Sequence, residues 1–387
     1  MAVKTNYVKK GKNGKEYHYY RLSVTLPDGK EKEFTGKSKK EAEAKRDRYL
    51  DGIKAGLAMD YDKVTLKNLM HQWLFEVLLM SDKVKPATFD RYEGLYRNYV
   101  RDSELGGLAV SGIKSIQIQR YYNGLYENEK PTSTIKNIHK VLRYFFNYAY
   151  SADFVLKNPC RKVNIPGDAT EIEDEEIDPF SDEEVKRIIA NLNEHIEMQF
   201  LLSLGTGLRV GELLALTKKD IDLKNKVVKI NKNLKKIKDI KKDGSYKYKM
   251  IVQPPKTKRS KREVPIPSKL IAPLQKYILN QKKKYFANGL PFTDDNVLFT
   301  TKSCKYIDAG NQLKTFKRVL RRADVPYRKF HNVRHTYATK LFETEVPLVT
   351  VSRLLGHANI QITANTYTHV MPKIKEAAVD NLNYMFS

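Results

Sequence analysis

A short acidic run divides this basic chain into parts with different hydrophobic patterns, and that division constrains the fold more than any other feature. The run, EIEDEE at residues 171–176, lies in a chain of 387 residues with a formal net charge of +26. An acidic run between patterned regions is typical of solvated linker rather than of a packed element. We therefore predict a linker over residues 166–178, with separate folded units on either side of it.

The first unit, residues 1–58, is predicted to be a small β-sheet packed against one helix. Residues 17–25 are rich in aromatic and β-branched side chains, as strands are. A Pro-Asp-Gly turn then leads into a second strand at residues 31–36. Ser38 stands where it can cap a helix that begins at Lys39.

The second unit, residues 64–165, is predicted to be all helical. After Thr65, apolar residues recur at the spacing of one buried helix face: Leu66, Leu69, Met70, Trp73, Leu74, Val77 and Leu78. Pro86 stands where a further helix would begin. Two more helices are expected, at residues 113–125 and from Ser133 onward.

The third unit, residues 179–387, is predicted to be mainly helical with a small antiparallel sheet. Ser181 and Glu184 form a capping-box pattern at its start. Strands are expected at residues 226–231, 247–253 and 262–267, with helices following to the C-terminus. The fold class predicted for the chain is thus multidomain α+β.

The charge pattern favours nucleic acid as the partner. Residues 224–262 carry 16 Lys or Arg and two Asp, an excess that favours contact with a phosphate backbone over a merely solvated surface. Only two cysteines occur, Cys160 and Cys304, which excludes a disulfide scaffold and a cysteine-rich zinc site. The longest apolar stretch, residues 200–216, contains Arg209 and Glu212, so no membrane span is expected. The N-terminus lacks the apolar core of a signal peptide, and we expect a reducing, cytoplasmic location.

Five short segments of the third unit place charged or hydroxyl side chains in otherwise apolar surroundings. They are GTGLRVGE (205–212), PKT (255–257), HNVRHT (331–336), LLGH (354–357) and TYTH (366–369). Two arginines can fork the oxygens of one phosphate, and a lysine can protonate a leaving oxygen. A tyrosine can attack phosphorus, although its ordinary pKa of about 10 means that neighbouring cations must favour the phenolate. Together these groups predict phosphoryl transfer with no metal and no other cofactor.

Each of these residues also has a structural interpretation when it is taken alone. Arg209 could simply pair with Glu212, and His331 or His357 could be a hydrogen-bonded core histidine. Tyr367 is one of 24 tyrosines. The functional prediction therefore depends on the ordered combination rather than on any single residue.

That combination resembles a known family. The order Arg, Lys, His-x-x-Arg, Gly-His, Tyr is similar to that of the tyrosine recombinases, specifically phage and conjugative-element integrases. The strings TGLRVGELLAL, HNVRHTYAT, LLGHANIQIT and NTYTHV resemble the sequence boxes of that family. The resemblance implies an arm-site DNA-binding domain at residues 1–58 and a helical, SAM-like core-binding domain at 64–165. It implies a catalytic domain with a C-terminal tail at 179–387.

The resemblance also implies which residues are catalytic: Arg209, Lys256, His331, Arg334, His357 and Tyr367. The arginines would clamp the scissile phosphate, with Glu212 supporting the first of them. The lysine would protonate the leaving 5′ oxygen, although Lys258 is an alternative that the pattern leaves open. The histidines would assist proton transfer, and the tyrosine would form a 3′-phosphotyrosine intermediate.

The implied function is site-specific DNA recombination that integrates and excises a mobile element. The implied partners are double-stranded DNA with core and arm attachment sites, a homotetramer in the synaptic complex, an excisionase and a host DNA-bending protein. The sequence leaves open whether the tail packs in cis or in trans, and whether the element is a phage or a conjugative transposon. Two alternatives are a type IB topoisomerase, which uses the same chemistry without partner exchange, and a catalytically silent, sequence-specific DNA-binding protein.

Overall fold

The computed structural model describes residues 6–10, 15–26, 29–57, 62–81, 84–167, 178–255, 260–367 and 385. The chain forms two compact units. From here on, the first unit is residues 1–172, which contains the first two predicted units, and the second unit is residues 173–387, which contains the third. Most of the predicted linker lies outside the described residues. No helix in the described part of the chain is both long enough and apolar enough to cross a membrane.

The N-terminal part of the first unit is an antiparallel sheet in the order β1-β2-β3, packed against one helix. The elements are β1 (Tyr7–Lys10), β2 (Glu16–Thr25), β3 (Glu31–Gly36) and α1 (Lys39–Lys54). Ser38 caps α1, because its hydroxyl accepts a hydrogen bond from the backbone of Glu41 at 3.2 Å. The sequence predicted all of these elements except β1, whose four residues are mostly exposed and lack an alternating pattern.

The rest of the first unit is helical, as predicted. Its helices are α2 (Leu66–Gln72), α3 (Pro86–Leu95), α4 (Glu104–Gly107), α5 (Ser115–Glu127) and α6 (Thr132–Ser151). A π-helical turn, Trp73–Leu78, continues α2 and changes which residues face inward. Val77 was predicted to be buried but is 38% exposed, whereas Phe75 is buried. The i to i+5 bonding of a π turn widens the helix, so the 3.6-residue pattern no longer applies there.

The second unit is mainly helical. Its helices are α7 (Asp182–Ala190), α8 (Glu197–Thr206), α9 (Val210–Leu213), α10 (Ser268–Ala287), α11 (Ala309–Arg322), α12 (His331–Glu343), α13 (Leu348–Leu355) and α14 (Ile360–Thr366). Three strands form a small antiparallel sheet in the order β4-β5-β8: β4 (Ile221–Asp222), β5 (Val227–Ile230) and β8 (Arg262–Pro265). The predicted multidomain α+β fold class is confirmed.

A separate two-stranded ribbon extends the basic region of this unit. Its strands, β6 (Asn233–Ile240) and β7 (Tyr246–Gln253), pair in antiparallel register. The sequence did not predict β6, because its lysines obscure the spacing of the three buried apolar residues. Lys236 lies over the ring of Tyr248 and Lys238 over the ring of Tyr246, each 4.4 Å from the ring centroid. Both tyrosines are exposed, so the ribbon presents a basic and aromatic surface.

Helix α12 joins the two hydrophobic clusters of the second unit. Val333 belongs to the large cluster, which contains Phe200 and Phe316. Ala338 and Phe342 belong to a smaller cluster formed with α13 and the end of α14. Because α12 packs into both clusters, it fixes the side chains that project from its first two turns.

Candidate active site

Arg334 lies at the centre of the site, on the first turn of α12. Its side chain is buried and donates from Nη1 to the carbonyl of Gly207 at 2.8 Å and from Nη2 to that of Leu355 at 2.6 Å. Nη2 also lies 3.0 Å from Nε2 of His357. Both carbonyls come from helix C-terminal ends, where backbone acceptors lack partners within the helix. Burial, together with the charges of neighbouring arginines, lowers the pKa of Arg334 to about 9, so the guanidinium stays charged at neutral pH.

Two glycines allow those helix ends to approach Arg334. Gly207 and Gly356 follow α8 and α13 and have φ of +62° and +65°, the left-handed conformation that ends many helices. A Cβ at Gly207 would lie 2.4 Å from a ring carbon of Tyr337, and one at Gly356 would lie 2.8 Å from Nη1 of Arg262. A side chain at either position would therefore displace the groups that surround the site.

The buried carboxylate of Glu212 holds two further arginines. It accepts hydrogen bonds from Arg209, at 2.9 Å from Nη1 and 3.0 Å from the backbone nitrogen. It also accepts from Arg262, at 3.0 Å from Nη2 and 3.3 Å from Nη1. Burial alone would raise the pKa of Glu212, but the hydrogen bond and charge of Arg262 and the charge of Arg209 together lower it. Arg262 in turn donates to the carbonyl of Leu354 at 2.7 Å, which ties Glu212 to the end of α13.

The two predicted histidines are held neutral. Burial and the nearby arginines lower the pKa of His357, which is partly buried, to about 3. The same causes lower the pKa of His331 to about 4, although His331 is exposed at the start of α12. Because Arg334 can only donate, Nε2 of His357 must accept, so Nδ1 carries the proton and donates to Thr363 Oγ1 at 2.8 Å. His331 begins α12, and its ring lies 4.7 Å from that of His335.

Tyr367 is buried in an apolar pocket at the end of α14. It is 1% exposed, and its ring centroid lies 5.4 Å from that of Phe342. Its hydroxyl lies 3.0 Å from Nδ1 of His335. Burial raises the pKa of Tyr367 to about 12, although the charge of Arg334 lowers it somewhat. The cationic cluster therefore favours the phenolate in the expected direction, but burial outweighs it and the tyrosine stays protonated at neutral pH.

The structure brings five of the six predicted residues into one region and adds two. The five are Arg209, His331, Arg334, His357 and Tyr367. Lys256 and its alternative Lys258 lie outside the described residues, so their assignment stays a prediction. The additions are Arg262, whose place depends on a contact 50 residues away in sequence, and His335, which lies one helical turn after His331. Among the described residues, no group of three His, Cys, Asp or Glu could hold a metal ion.

Comparisons with known proteins place the chain in a known family. Residues 179–373 match the phage integrase family, and residues 65–126 match the phage integrase N-terminal SAM-like domain. A tyrosine recombinase XerC-like protein of Caldanaerobacter subterraneus subsp. tengcongensis is 53% identical, with both chains fully covered.

Solved structures share the fold. The Tn1549 transposon integrase in complex with a circular intermediate DNA has a TM-score of 0.66 at 22% identity, covering 83% of this chain and 100% of that one. A lambda integrase tetramer bound to a Holliday junction has a TM-score of 0.56 at 17% identity, covering 93% of this chain and 94% of that one.

Proposed function

Because this chain belongs to the phage integrase family and is a tyrosine recombinase, we propose that Tyr367 is the nucleophile with which it recombines specific DNA sites to integrate and excise a mobile element. The observation that carries the proposal is the arrangement around α12. That helix contributes Arg334 and His331 to a cationic site and His335 to the hydroxyl of Tyr367. A phosphate that contacts Arg334 would thus lie near both the stabilising charges and the nucleophile.

Arg209 and Arg334 are the groups that stabilise charge on the scissile phosphate. Three donor contacts of Arg334 go to Gly207, Leu355 and His357, and its other N–H groups have no partner among the described residues. Arg209 is one-third exposed and is oriented by Glu212. Fixed donors of this kind stabilise the extra negative charge of a pentacoordinate phosphorus without reorganising during the reaction.

The chemical step exchanges one phosphodiester bond for another. The Tyr367 oxygen bonds to phosphorus while the bond to the 5′ oxygen breaks, giving a 3′-phosphotyrosine and a free 5′ hydroxyl. His335 Nδ1 lies where it can accept the phenolic proton. Lys256, or Lys258, supplies the proton to the leaving oxygen. In the reverse direction a 5′ hydroxyl attacks the phosphotyrosine, so the bond energy is conserved through strand exchange.

Double-stranded DNA is the proposed substrate. The net charge of +26 and the lysine-rich ribbon β6–β7 support contacts with many phosphates. We assign arm-site binding to residues 1–58, core-site binding to 64–165 and catalysis to 179–387, joined by a linker at 166–178. The assembly proposed for strand exchange is a homotetramer on DNA, assisted by an excisionase and a host DNA-bending protein.

A nicked suicide substrate that traps the covalent intermediate tests the proposal. The full-length protein should form a protein–DNA adduct, and Tyr367→Phe should bind the same DNA without forming one. An adduct that persists in Tyr367→Phe would reject this nucleophile. Plasmid relaxation without recombinant product would instead indicate a topoisomerase, and specific binding without any adduct would indicate a silent DNA-binding protein.

A substrate with sulfur at the bridging 5′ position tests the general acid. Its leaving group needs little protonation, so it should restore cleavage by Lys256→Ala, which we expect to be about 10²–10⁴ times slower on normal DNA. It should not rescue Arg209→Ala, because that residue acts on the non-bridging oxygens. Rescue of Lys258→Ala instead would assign the role of general acid to Lys258.

A further inference from the structure

The side of α12 away from the active site is bound to the segment through which the chain begins the second unit. We call residues 178–182 the connecting segment, since they run from the end of the predicted linker to Asp182, the first residue of α7. Four side chains spaced four residues apart project toward it from α12 and the loop before α12: Arg328, Asn332, Thr336 and Lys340.

Each of these side chains contacts a defined point. Nδ2 of Asn332 donates to the carbonyl of Asp178 at 2.9 Å, and the Thr336 hydroxyl accepts from the backbone nitrogen of Phe180 at 2.9 Å. Nζ of Lys340 lies 2.9 Å from a carboxylate oxygen of Asp182. Arg328 pairs with Asp178 and, at 2.8 Å, with Glu184 of α7.

The contacts follow the same order along the connecting segment and along α12. Positions 178, 180 and 182 meet α12 at 332, 336 and 340. The eight residue steps from 332 to 340 rise about 12 Å along α12, and the three contact points of the connecting segment follow in the same order. The connecting segment therefore runs parallel to α12 in matching register, so a shift of the helix along its axis would break every contact at once.

The connecting segment is itself fixed. Phe180 is buried, with its ring packed edge-on against Phe316 and beneath the guanidinium of Arg328, 5.0 Å away. Ser181 and Glu184 form a reciprocal capping box that locks the start of α7. The segment can thus hold α12 in place rather than merely follow it.

We propose that the connecting segment sets the axial position of α12, and that Asn332 and Thr336 are positioning residues for the recombination reaction. The inference rests on the proposed function, in which Arg334 and His331 on the other side of α12 act on the phosphate. A displacement of about 1 Å in a catalytic constellation can cost about 10²-fold in rate. Because the linker ends at Asp178, a displacement of the chain upstream reaches the catalytic helix first through Asn332.

The test compares two buried threonines of α12 in the full-length protein. Thr336→Val removes the acceptor for Phe180, whereas Thr336→Ser keeps it. Thr339 is also buried, but its hydroxyl has no hydrogen-bond partner among the described residues, so Thr339→Val is a matched control. We expect Thr336→Val to slow single-turnover adduct formation about tenfold or more, with DNA affinity within about twofold. Thr336→Ser and Thr339→Val should react at the wild-type rate.

Three further measurements separate positioning from other causes. The bridging-sulfur substrate should not rescue Thr336→Val, because the displaced groups act on the non-bridging oxygens. A folded Thr336→Val that cleaves at the wild-type rate, or equal slowing by Thr339→Val, would overturn the proposal. If Thr336→Val does not fold, Asn332→Ala decides, since Asn332 is only partly buried: slowing of about threefold or more supports the proposal and an unchanged rate rejects it.

Different results would reject the proposed function. Loss of the adduct from wild-type protein, or an adduct that forms normally in Arg334→Ala, would reject the catalytic assignment itself. A normal wild-type reaction that needs Arg334, together with an unaffected Thr336→Val, would reject only the positioning role.

Discussion

The proposed phosphate clamp and the proposed nucleophile pocket lie side by side in the second unit but differ in how far they are prepared for reaction. The clamp consists of two hydrogen-bonded groups. Arg209 and Arg262 donate to Glu212 at 2.9–3.3 Å, and Nη2 of Arg334 lies 3.0 Å from Nε2 of His357. The pocket consists of Tyr367 with His335, Phe342, Val351 and Leu355 around it. The clamp already has its charges and orientation, whereas the tyrosine is buried and protonated.

This difference indicates where activation must occur. The arginines of the clamp are already held in place by helix-end carbonyls and by Glu212. Tyr367 has to leave a low-dielectric pocket, in which burial raises its pKa to about 12, before it can attack. Withholding the nucleophile in this way would prevent cleavage until DNA binding changes the end of α14.

The largest expected effect comes from breaking the clamp at its centre. Arg334→Ala removes the buried charge between Gly207, Leu355 and His357, and we expect adduct formation to fall by about 10³-fold or more. Arg334→Lys keeps the charge but cannot donate to all three partners, so its rate should lie between those of alanine and wild type. Single-turnover assays on the suicide substrate measure both variants, and a wild-type rate in Arg334→Lys would contradict the geometric role.

A smaller effect is expected from Glu212→Gln. The amide cannot balance the charges of Arg209 and Arg262, so the clamp loses its orientation and adduct formation should fall by about 10²-fold. Glu263→Gln is the matched control, because Glu263 is exposed and makes only a 3.8 Å contact with Lys229. Exposed pairs of this kind contribute about 0–1 kcal/mol, so the control should behave as wild type. Equal effects of the two variants would mean that general charge, not the clamp, was lost.

Loosening the pocket around Tyr367 should not slow adduct formation, in contrast to the clamp variants. Phe342→Leu keeps an apolar side chain but removes ring contacts with Tyr367, which lowers the free energy of unfolding by about 1 kcal/mol. Because the tyrosine then leaves more readily, adduct formation should be at least as fast as in wild type. Slowing similar to that of the clamp variants would mean that the pocket also orients the nucleophile for attack.

The smallest effect concerns pH and stability. The pKa values of His331 and His357 are about 4 and 3 in the folded protein, below the ordinary value of about 6.5. Below pH 6.5 the unfolded chain therefore binds more protons than the folded one, so stability falls as the pH drops toward 4 and is retained above 6.5. Urea unfolding of His357→Asn should change less between pH 7 and pH 5 than wild type does. The same change at the exposed His195 should leave the dependence intact.

Much of the fold could be predicted from the sequence, because helix-capping residues and the spacing of apolar residues depend on only a few neighbouring positions. Pro86, Ser38 and Ser181 mark helix starts that the structure confirms. The sequence could not show that a π turn would expose Val77, because that depends on how the helix packs.

The motifs predicted most of the residues that form the site, but not the protonation state of Tyr367. The motifs identified Arg334 and Tyr367, whereas Arg262 became visible only through its contact with Glu212. The raised pKa of Tyr367 depends on burial by Phe342 and its neighbours, which no motif encodes.

The most direct test of the account is the titration of Tyr367 in the DNA-free protein. Carbon-13 labelling of all 24 tyrosines, with Tyr367→Phe to assign the signal, gives its ionisation state by NMR. A pKa of about 12 leaves the hydroxyl only about 3% ionised at pH 10.5, whereas an ordinary tyrosine would be about three-quarters ionised. The account predicts a Tyr367 signal that does not move up to that pH; a signal that titrates at or below pH 10 would contradict the withheld nucleophile.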